Sequence, residues 1–262
     1  MPPSRRTNRL RERLAGGGPL IGFLPHVQTP EFIEYCGLLG FDWAFLDAEH
    51  TGLSAERCQD LVRAADVVGL PSVIRLPMNE PAVILPYLET GADAVIAPHV
   101  DDAAAARRLV QACRYFPKGI RGSSAGSRAA NFGLTQPASE YFSASQDQAI
   151  PIPLLEDRKA FESLAEIAAV DEVEMLFLGP GDLAMSLGLG GNSRHPQVQQ
   201  QIANALAYLV KAGKVVGTIA SSPDDVRRLA AAGARLLLVG TGGLFAPAAR
   251  LFLEAARADQ PA

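Results

Sequence analysis

Eight ionisable residues of this 262-residue chain stand where apolar runs end: His26, Asp47, Glu49, His50, Arg75, His99, Glu156 and Asp182. The densest group closes Phe41-Asp-Trp-Ala-Phe-Leu-Asp-Ala-Glu-His50. Its aromatic and aliphatic centre suits a strand buried on both faces. The run ends in two carboxylates and an imidazole, and Ser54 follows as a helix N-cap with Glu56 in the first turn. Such a strand end is where parallel α/β enzymes place catalytic groups. An N-capping acid followed by solvated loop charges also accounts for this stretch taken alone. Asp47 lies three residues before His50, so its carboxylate can orient the ring and favour its charged form.

Glu156 and Asp182 end successive units, Pro151-Ile-Pro-Leu-Leu-Glu156 and Leu176-Phe-Leu-Gly-Pro-Gly-Asp182, 26 residues apart. One βα unit separates them, so their carboxylates can converge on one ion. Two carboxylates with positions left for water suit a divalent cation such as Mg²⁺, Mn²⁺ or Co²⁺. Two N-capping acids is the simpler reading, and the adjacency of the two strand ends favours the metal. Gly179-Pro-Gly181 leaves backbone N–H groups to receive an anionic substrate group. Arg75 ends the apolar run Ser72-Val-Ile-Arg75, and a buried cation there needs either a structural ion pair or substrate charge. The substrate is the expected partner. His26 and His99 read as satisfied strand-end histidines, and His195, before Pro196, as a residue at a helix start.

These residues need elements that bring them to one face. Strand-like runs occur at Leu20–Leu24, Trp43–Asp47, Ser72–Leu76, Ala94–Pro98, Ile150–Glu156, Met175–Gly179, Val215–Ala220 and Leu236–Gly240. Helical patterns alternate with them, at 31–39, 55–68, 81–90, 103–115, 158–169, 196–212, 223–232 and 244–256, after a short basic helix at 8–14. Ser54, Asp101 and Ser222-Pro223 mark helix starts, and Gly69, Gly91, Gly213 and Gly233 mark stops. Eight strand–helix units predict a single (β/α)₈ barrel over residues 1–262. A doubly wound sheet is the competitor, and no GxGxxG follows an early strand. Residues 116–149 break the rhythm. Connections of this length are usually functional or disordered. Arg121 and Arg128 in its glycine- and serine-rich Lys118–Asn131 stretch suit an anion-binding lid, and a solvated loop accounts for the same stretch nearly as well.

Composition narrows the class. With 24 basic and 28 acidic residues, a net charge of −4 and a pI near 5.6, no basic excess marks a nucleic-acid or membrane surface. Cys36, Cys58 and Cys113 are widely spaced, without a CxxC pair. Reduced, buried thiols and a cytoplasmic location are expected. The polar N-terminus has no apolar segment of the signal-peptide type, and no apolar run is long enough to span a bilayer. The four lysines, Lys118, Lys159, Lys211 and Lys214, avoid the C-terminal ends of strands, which disfavours a Schiff-base aldolase. No strand runs into a GxSxG nucleophile elbow: the one such pattern, Gly122-Ser-Ser-Ala-Gly126, lies inside the 116–149 connection.

From about Asn8 to Leu251 the sequence resembles the HpcH/HpaI aldolase family, the metal-dependent class II pyruvate aldolases. The resemblance is carried by Gly40–His50, Val73-Ile-Arg75, Gly119-Ile-Arg-Gly122, Glu156, Gly179-Pro-Gly-Asp-Leu-Ala-Met-Ser-Leu-Gly188 and His195-Pro-Gln-Val198. It implies a TIM barrel whose last helix is exchanged between subunits, assembled as a homohexamer, a trimer of dimers. It implies Glu156 and Asp182 as metal ligands, the backbone at Gly181 and Asp182 as the seat of the pyruvyl carboxylate, and Arg121 as a substrate-binding residue. Arg75 would stabilise the enolate, and Asp47 with His50 would form the acid/base dyad. The implied reaction is reversible cleavage of a 4-hydroxy-2-oxo acid to pyruvate and an aldehyde through a metal-bound enolate. Two positions depart from the family pattern: Leu154 stands where Gln is usual, and Gly240-Thr-Gly-Gly243 where Gly-Ser-Asp is usual. They leave open a related carbon–carbon lyase or condensing enzyme acting on another 2-oxo acid. They also leave open a weakened, metabolite-binding relative.

Overall fold

Residues 7–258 are described by the computed structural model of the protein. Eight parallel strands close a barrel in sequence order, each hydrogen-bonded to the next and the last to the first. They are β1 (Leu20–Leu24), β2 (Trp43–Asp47), β3 (Ser72–Arg75), β4 (Ala94–Ala97), β5 (Ile150–Leu155), β6 (Met175–Leu178), β7 (Val215–Ile219) and β8 (Leu236–Gly240). The helices are α1 (Arg9–Ala15), α2 (Pro30–Leu38), α3 (Ala55–Val67), α4 (Pro81–Leu88), α5 (Ala103–Cys113) and α6 (Ala138–Ala144). They continue with α7 (Arg158–Glu162), α8 (Leu164–Ala168), α9 (Pro180–Ser186), α10 (Pro196–Lys211), α11 (Pro223–Ala231) and α12 (Thr241–Arg257).

The strands read as continuous apolar runs because both faces are covered. Trp43, Phe45, Val73, Ile96, Ile152, Leu154, Phe177 and Leu238 fill the barrel interior, joined at its N-terminal end by Leu10 and Leu14 of α1. The alternate residues Ala44, Leu46, Ile74, Val95, Leu155, Leu176 and Leu237 face the helical ring. Trp43 reaches its place because β1 has Gly22 beside it: a Cβ there would sit 2.1 Å from the indole. Ser54 and Ser222 cap α3 and α11 as expected, whereas α5 is capped one residue later than expected, by Asp102. The helix expected over 158–169 breaks at Ser163 into α7 and α8. The three cysteines are buried free thiols. None of the described helices is long and apolar enough to cross a membrane.

The connection between α5 and β5 holds a 3₁₀ turn (Arg128–Gly133) and α6. It joins a helix end to a strand start, so it packs at the N-terminal end of the barrel. Arg128 binds the Thr90 carbonyl and Asp66 there, and the Ala129 N–H donates to the Glu89 carbonyl. An anion-binding loop over this chain's own strand ends is therefore not what the fold builds from 116–149.

Helix α12 is different from the rest of the ring. Thr241 is its one buried residue, while Leu244, Phe245, Leu251, Phe252 and Leu253 stand exposed along it.

Candidate active site at the strand ends

β2 and β3 are paired with Asp47 opposite Arg75. Both side chains leave the strand ends on the barrel side, and Arg75 grips Asp47 with two bonds, Nε–Oδ1 at 3.0 Å and Nη2–Oδ2 at 2.6 Å. Asp47 Oδ1 also accepts the backbone N–H groups of Glu49 and His50, at 3.1 and 3.2 Å. Gln28 locks the Asp47 backbone from the β1 side, donating to its carbonyl and accepting its N–H. Burial would push the Asp47 carboxyl up, but the Arg75 bonds and charge and the two N–H groups outweigh it and hold Asp47 below the usual carboxylate range. The anion expected for Arg75 from substrate is thus supplied within the chain. Glu49 adds a second, its Oε2 3.3 Å from Arg75 Nε. Arg75 Nη1 has no hydrogen-bond partner among the described residues, and Arg75 lines the central cavity. His50 meets Asp47 through its backbone. Its ring is 59% exposed and lies 3.8 Å from Glu49 Oε2.

Glu156 follows β5 directly and is 2% exposed. Its Oε1 accepts the His99 backbone N–H at 3.0 Å. Burial pushes its carboxyl up to about 7, against the pull of His99, with Glu49 and Asp182 adding repulsion. The carboxylate has room only because residue 179 is glycine: a Cβ there would lie 2.8 Å from Glu156 Cβ and 3.3 Å from Leu154 Cδ1. Gly179 is also the N-cap of α9, and no side chain caps that turn, so the N–H groups beside Gly181 and Asp182 carry no side-chain cap. A cavity of about 90 Å³ joins these parts. Arg75, Glu156, Gly179, Gly181 and Asp182 line one side, and Phe45, Ile96, Leu154, Phe177 and Leu238 are among its apolar walls.

The residues fit a divalent cation. One donor atom each from Glu49, His99 and Glu156 lies within 4.8 Å of the others. Glu49 Oε2 is buried with no hydrogen-bond partner. Burial also raises the Glu49 carboxyl, despite Arg75. An oxygen-rich group with a buried acceptor that has no hydrogen bond and two carboxyls shifted toward neutrality fits a cation.

Three expected residues fall elsewhere. Arg121 is 2% exposed, bound to Glu89 Oε1 at 2.7 Å and stacked over the Tyr115 ring at 4.7 Å. Glu89 caps the C-terminal end of α4, so Arg121 anchors the long connection at the opposite end of the barrel from Glu156. His195 accepts the Gln197 N–H at the start of α10, the structural role expected of it. His26 meets Thr241 Oγ1 at 2.8 Å and stacks on Phe245, at the edge of the strand-end face. Glu49, Gln28 and Asp157, which takes the His99 ring at 2.8 Å, join the site without having been singled out for a role. Glu49 was legible as a strand-end acid. The other two gave no signal.

The HpcH/HpaI aldolase/citrate lyase family model matches residues 21–247. The chain is 36% identical over 245 residues to the hydroxypyruvate/pyruvate aldolase of Deinococcus radiodurans, covering 93% of this chain and 88% of that one. It is 34% identical over 249 residues to the 5-keto-4-deoxy-D-glucarate aldolase of Klebsiella pneumoniae, covering 95% and 96%. A crystal structure of a family protein from Burkholderia cenocepacia superposes with a TM-score of 0.89 at 32% identity, over 96% of this chain and all of that one. A closed parallel barrel, a cation-fitting group at its strand ends and these likenesses converge: the chain belongs to the HpcH/HpaI aldolase/citrate lyase family.

Proposed function

We propose that the protein is a divalent-metal-dependent aldolase that reversibly cleaves a 4-hydroxy-2-oxo acid to pyruvate and an aldehyde. The observation that carries this reading is the buried Glu156 carboxyl, facing Arg75, Asp182 and the α9 N-terminus across one small cavity. Glu156 and Asp182 would hold the cation. When bound, it supplies Lewis-acid polarisation of the 2-oxo acid, which acidifies the adjacent C–H.

The chain's own groups do the rest. The backbone N–H groups at Gly181 and Asp182 seat the substrate carboxylate, as a helix N-terminus suits an anion. Arg75 is held rigid by its two bonds to Asp47, so Nη1 stays aimed at the cavity. There it meets the negative charge that develops on the carbonyl oxygen as the carbon–carbon bond breaks. Asp47 stays ionised to keep Arg75 in place. His50 reaches the site from solvent and moves the proton of the 4-hydroxyl through a water molecule. The apolar walls keep the reacting carbon away from bulk water.

The exposed apolar side chains of α12 support its exchange with a neighbouring subunit, within a homo-oligomer of the trimer-of-dimers type. Light scattering of the full chain and of a chain ending at 240 tests the assembly; loss of the oligomer in the shorter chain is the expected outcome.

The function is tested by exchange of the pyruvate methyl protons with D₂O, followed by NMR with added Mn²⁺ and with chelator. Metal-dependent exchange is expected. A protein that binds the metal but exchanges nothing would turn the reading toward other 2-oxo acids.

A further inference from the structure

We propose that His99 and Glu49 join Glu156 and Asp182 as ligands of the divalent cation, and that the histidine nitrogen tilts the site toward borderline cations such as Co²⁺ over Mg²⁺. The inference rests on the aldolase reading only in that the cation is one that Glu156 holds.

The local geometry is unusual for a surface histidine. His99 has φ 51°, in the left-handed region that side chains avoid at a cost of about 1–3 kcal/mol. The surroundings hold it there. Its backbone N–H is taken by Glu156 Oε1 at 3.0 Å, and its Nδ1 by Asp157 Oδ2 at 2.8 Å. An ionised carboxylate only accepts, so Nδ1 carries the hydrogen and Nε2 is the ring nitrogen left to bind a cation. Nε2 lies 3.9 Å from Glu49 Oε1, too far for a hydrogen bond and a spacing that two ligands of one ion can close. Glu49 Oε2 is buried with no partner beyond its ion pair with Arg75, and one donor atom each of Glu49, His99 and Glu156 lies within 4.8 Å of the others.

A carboxylate that fixes the tautomer of a histidine, whose other nitrogen then faces acidic oxygens, is the arrangement that orients metal-binding imidazoles. A simple ion pair explains less: it needs neither the strained backbone nor a ring turned with Nδ1 on Asp157. The ring is 61% exposed, which gives the ion a path from solvent. Carboxylate oxygens alone suit Mg²⁺, while an imidazole nitrogen adds far more for Co²⁺ or Zn²⁺, and this difference gives the preference.

The test uses the full-length protein freed of metal. Co²⁺ and Mg²⁺ are titrated by calorimetry into wild type, His99→Ala and Asp157→Asn, with Glu156→Gln as the control that removes the shared ligand. Pulsed EPR of bound Mn²⁺ reads a directly coordinated imidazole nitrogen. His99→Ala is expected to lose tenfold or more in Co²⁺ affinity, less than twofold for Mg²⁺, and the nitrogen modulation. Asp157→Asn should lose Co²⁺ affinity in the same direction by less. Bound Mn²⁺ without nitrogen modulation in wild type, or equal losses for both cations, overturns the role of His99 and leaves the aldolase reading standing. A wild-type protein that binds none of the three cations removes both.

Discussion

The two ends of the barrel treat charge in opposite ways. At the N-terminal end, opposite charges are matched. Arg9 spans Asp66 and Asp93, Asp93 also accepts the backbone N–H groups of Arg9 and Ser72, Arg121 takes Glu89, and Arg114 takes Glu172. At the C-terminal end, Glu49 and Glu156 are both pushed toward neutrality by burial, and His99 sits in a strained conformation. Asp47 and Arg75 are matched by two bonds, which leave Nη1 of Arg75 without a hydrogen bond on a residue that lines the cavity. Ion pairs close one end of the fold, and carboxyls pushed toward neutrality beside a cavity leave the other ready for ligands. The difference can be broken from either side.

The largest expected effect is on chemistry. Arg75→Ala and Glu156→Gln should each slow pyruvate proton exchange by about 10²–10³-fold, the cost of removing a preorganised stabiliser of developing charge. Glu156→Gln should keep or raise the unfolding midpoint in urea, because a buried carboxyl is exchanged for a neutral amide, whereas Arg75→Ala should lower it by stranding the buried Asp47 carboxylate. Exchange within tenfold of wild type in both would move the chemistry off this face. Asp93→Ala sets the other side of the comparison. It strands Arg9 and two backbone N–H groups, and should cost about 3–5 kcal/mol in urea unfolding. Exchange per folded molecule should not change. A stability loss below 1 kcal/mol would mean that the matched end does not carry the fold.

A smaller effect concerns pH. With chelator present, Glu156 holds its proton up to about 7 when folded, whereas the unfolded carboxyl releases it near the ordinary value. The folded state therefore binds more protons between these two values. This contribution is fully present below about 4.5, falls as pH rises toward 7, and is flat beyond. Its size is on the order of a few kcal/mol. Glu156→Gln should remove that part of the slope, measured as the urea midpoint at several pH values. A slope unchanged in the variant would assign the proton to another group.

The barrel was legible because eight apolar runs alternate with helical patterns, and the first six of those runs lead into an ionisable group at or just past the strand end. The strand-end rule then put Asp47, Glu49, Arg75, His99, Glu156 and Asp182 on one face. What sequence could not supply was partner choice. Asp47 and His50, three residues apart, suggested a side-chain pair, but register put Arg75 opposite Asp47, and the closer cation won. Arg121 shared its glycine-rich setting with many anion sites, yet its segment follows a helix, and an αβ connection belongs to the end of the barrel away from the chemistry. The roles of Gln28 and Asp157 depend on neighbours 19 and 58 residues away, Asp47 and His99, a distance that no local pattern encodes.

The smallest expected effect probes the cavity floor. Leu154 is buried opposite Phe177 and beside Gly179, on a wall that is otherwise Phe45, Ile96 and Leu238. In Leu154→Gln the new amide meets Arg75, Glu156 and Asp182 as the charged residues lining that cavity, the first two already bonded elsewhere. Burying it should cost about 1–2 kcal/mol in the ligand-free protein. If position 154 faces the pyruvyl group, the amide gains a partner when pyruvate and metal are added. The gap in urea midpoint between variant and wild type should then shrink, and the apparent affinity for pyruvate should rise by a few-fold. A gap that is the same with and without pyruvate would confine Leu154 to packing of the barrel, and the comparison of the two ends would rest on the charged residues alone.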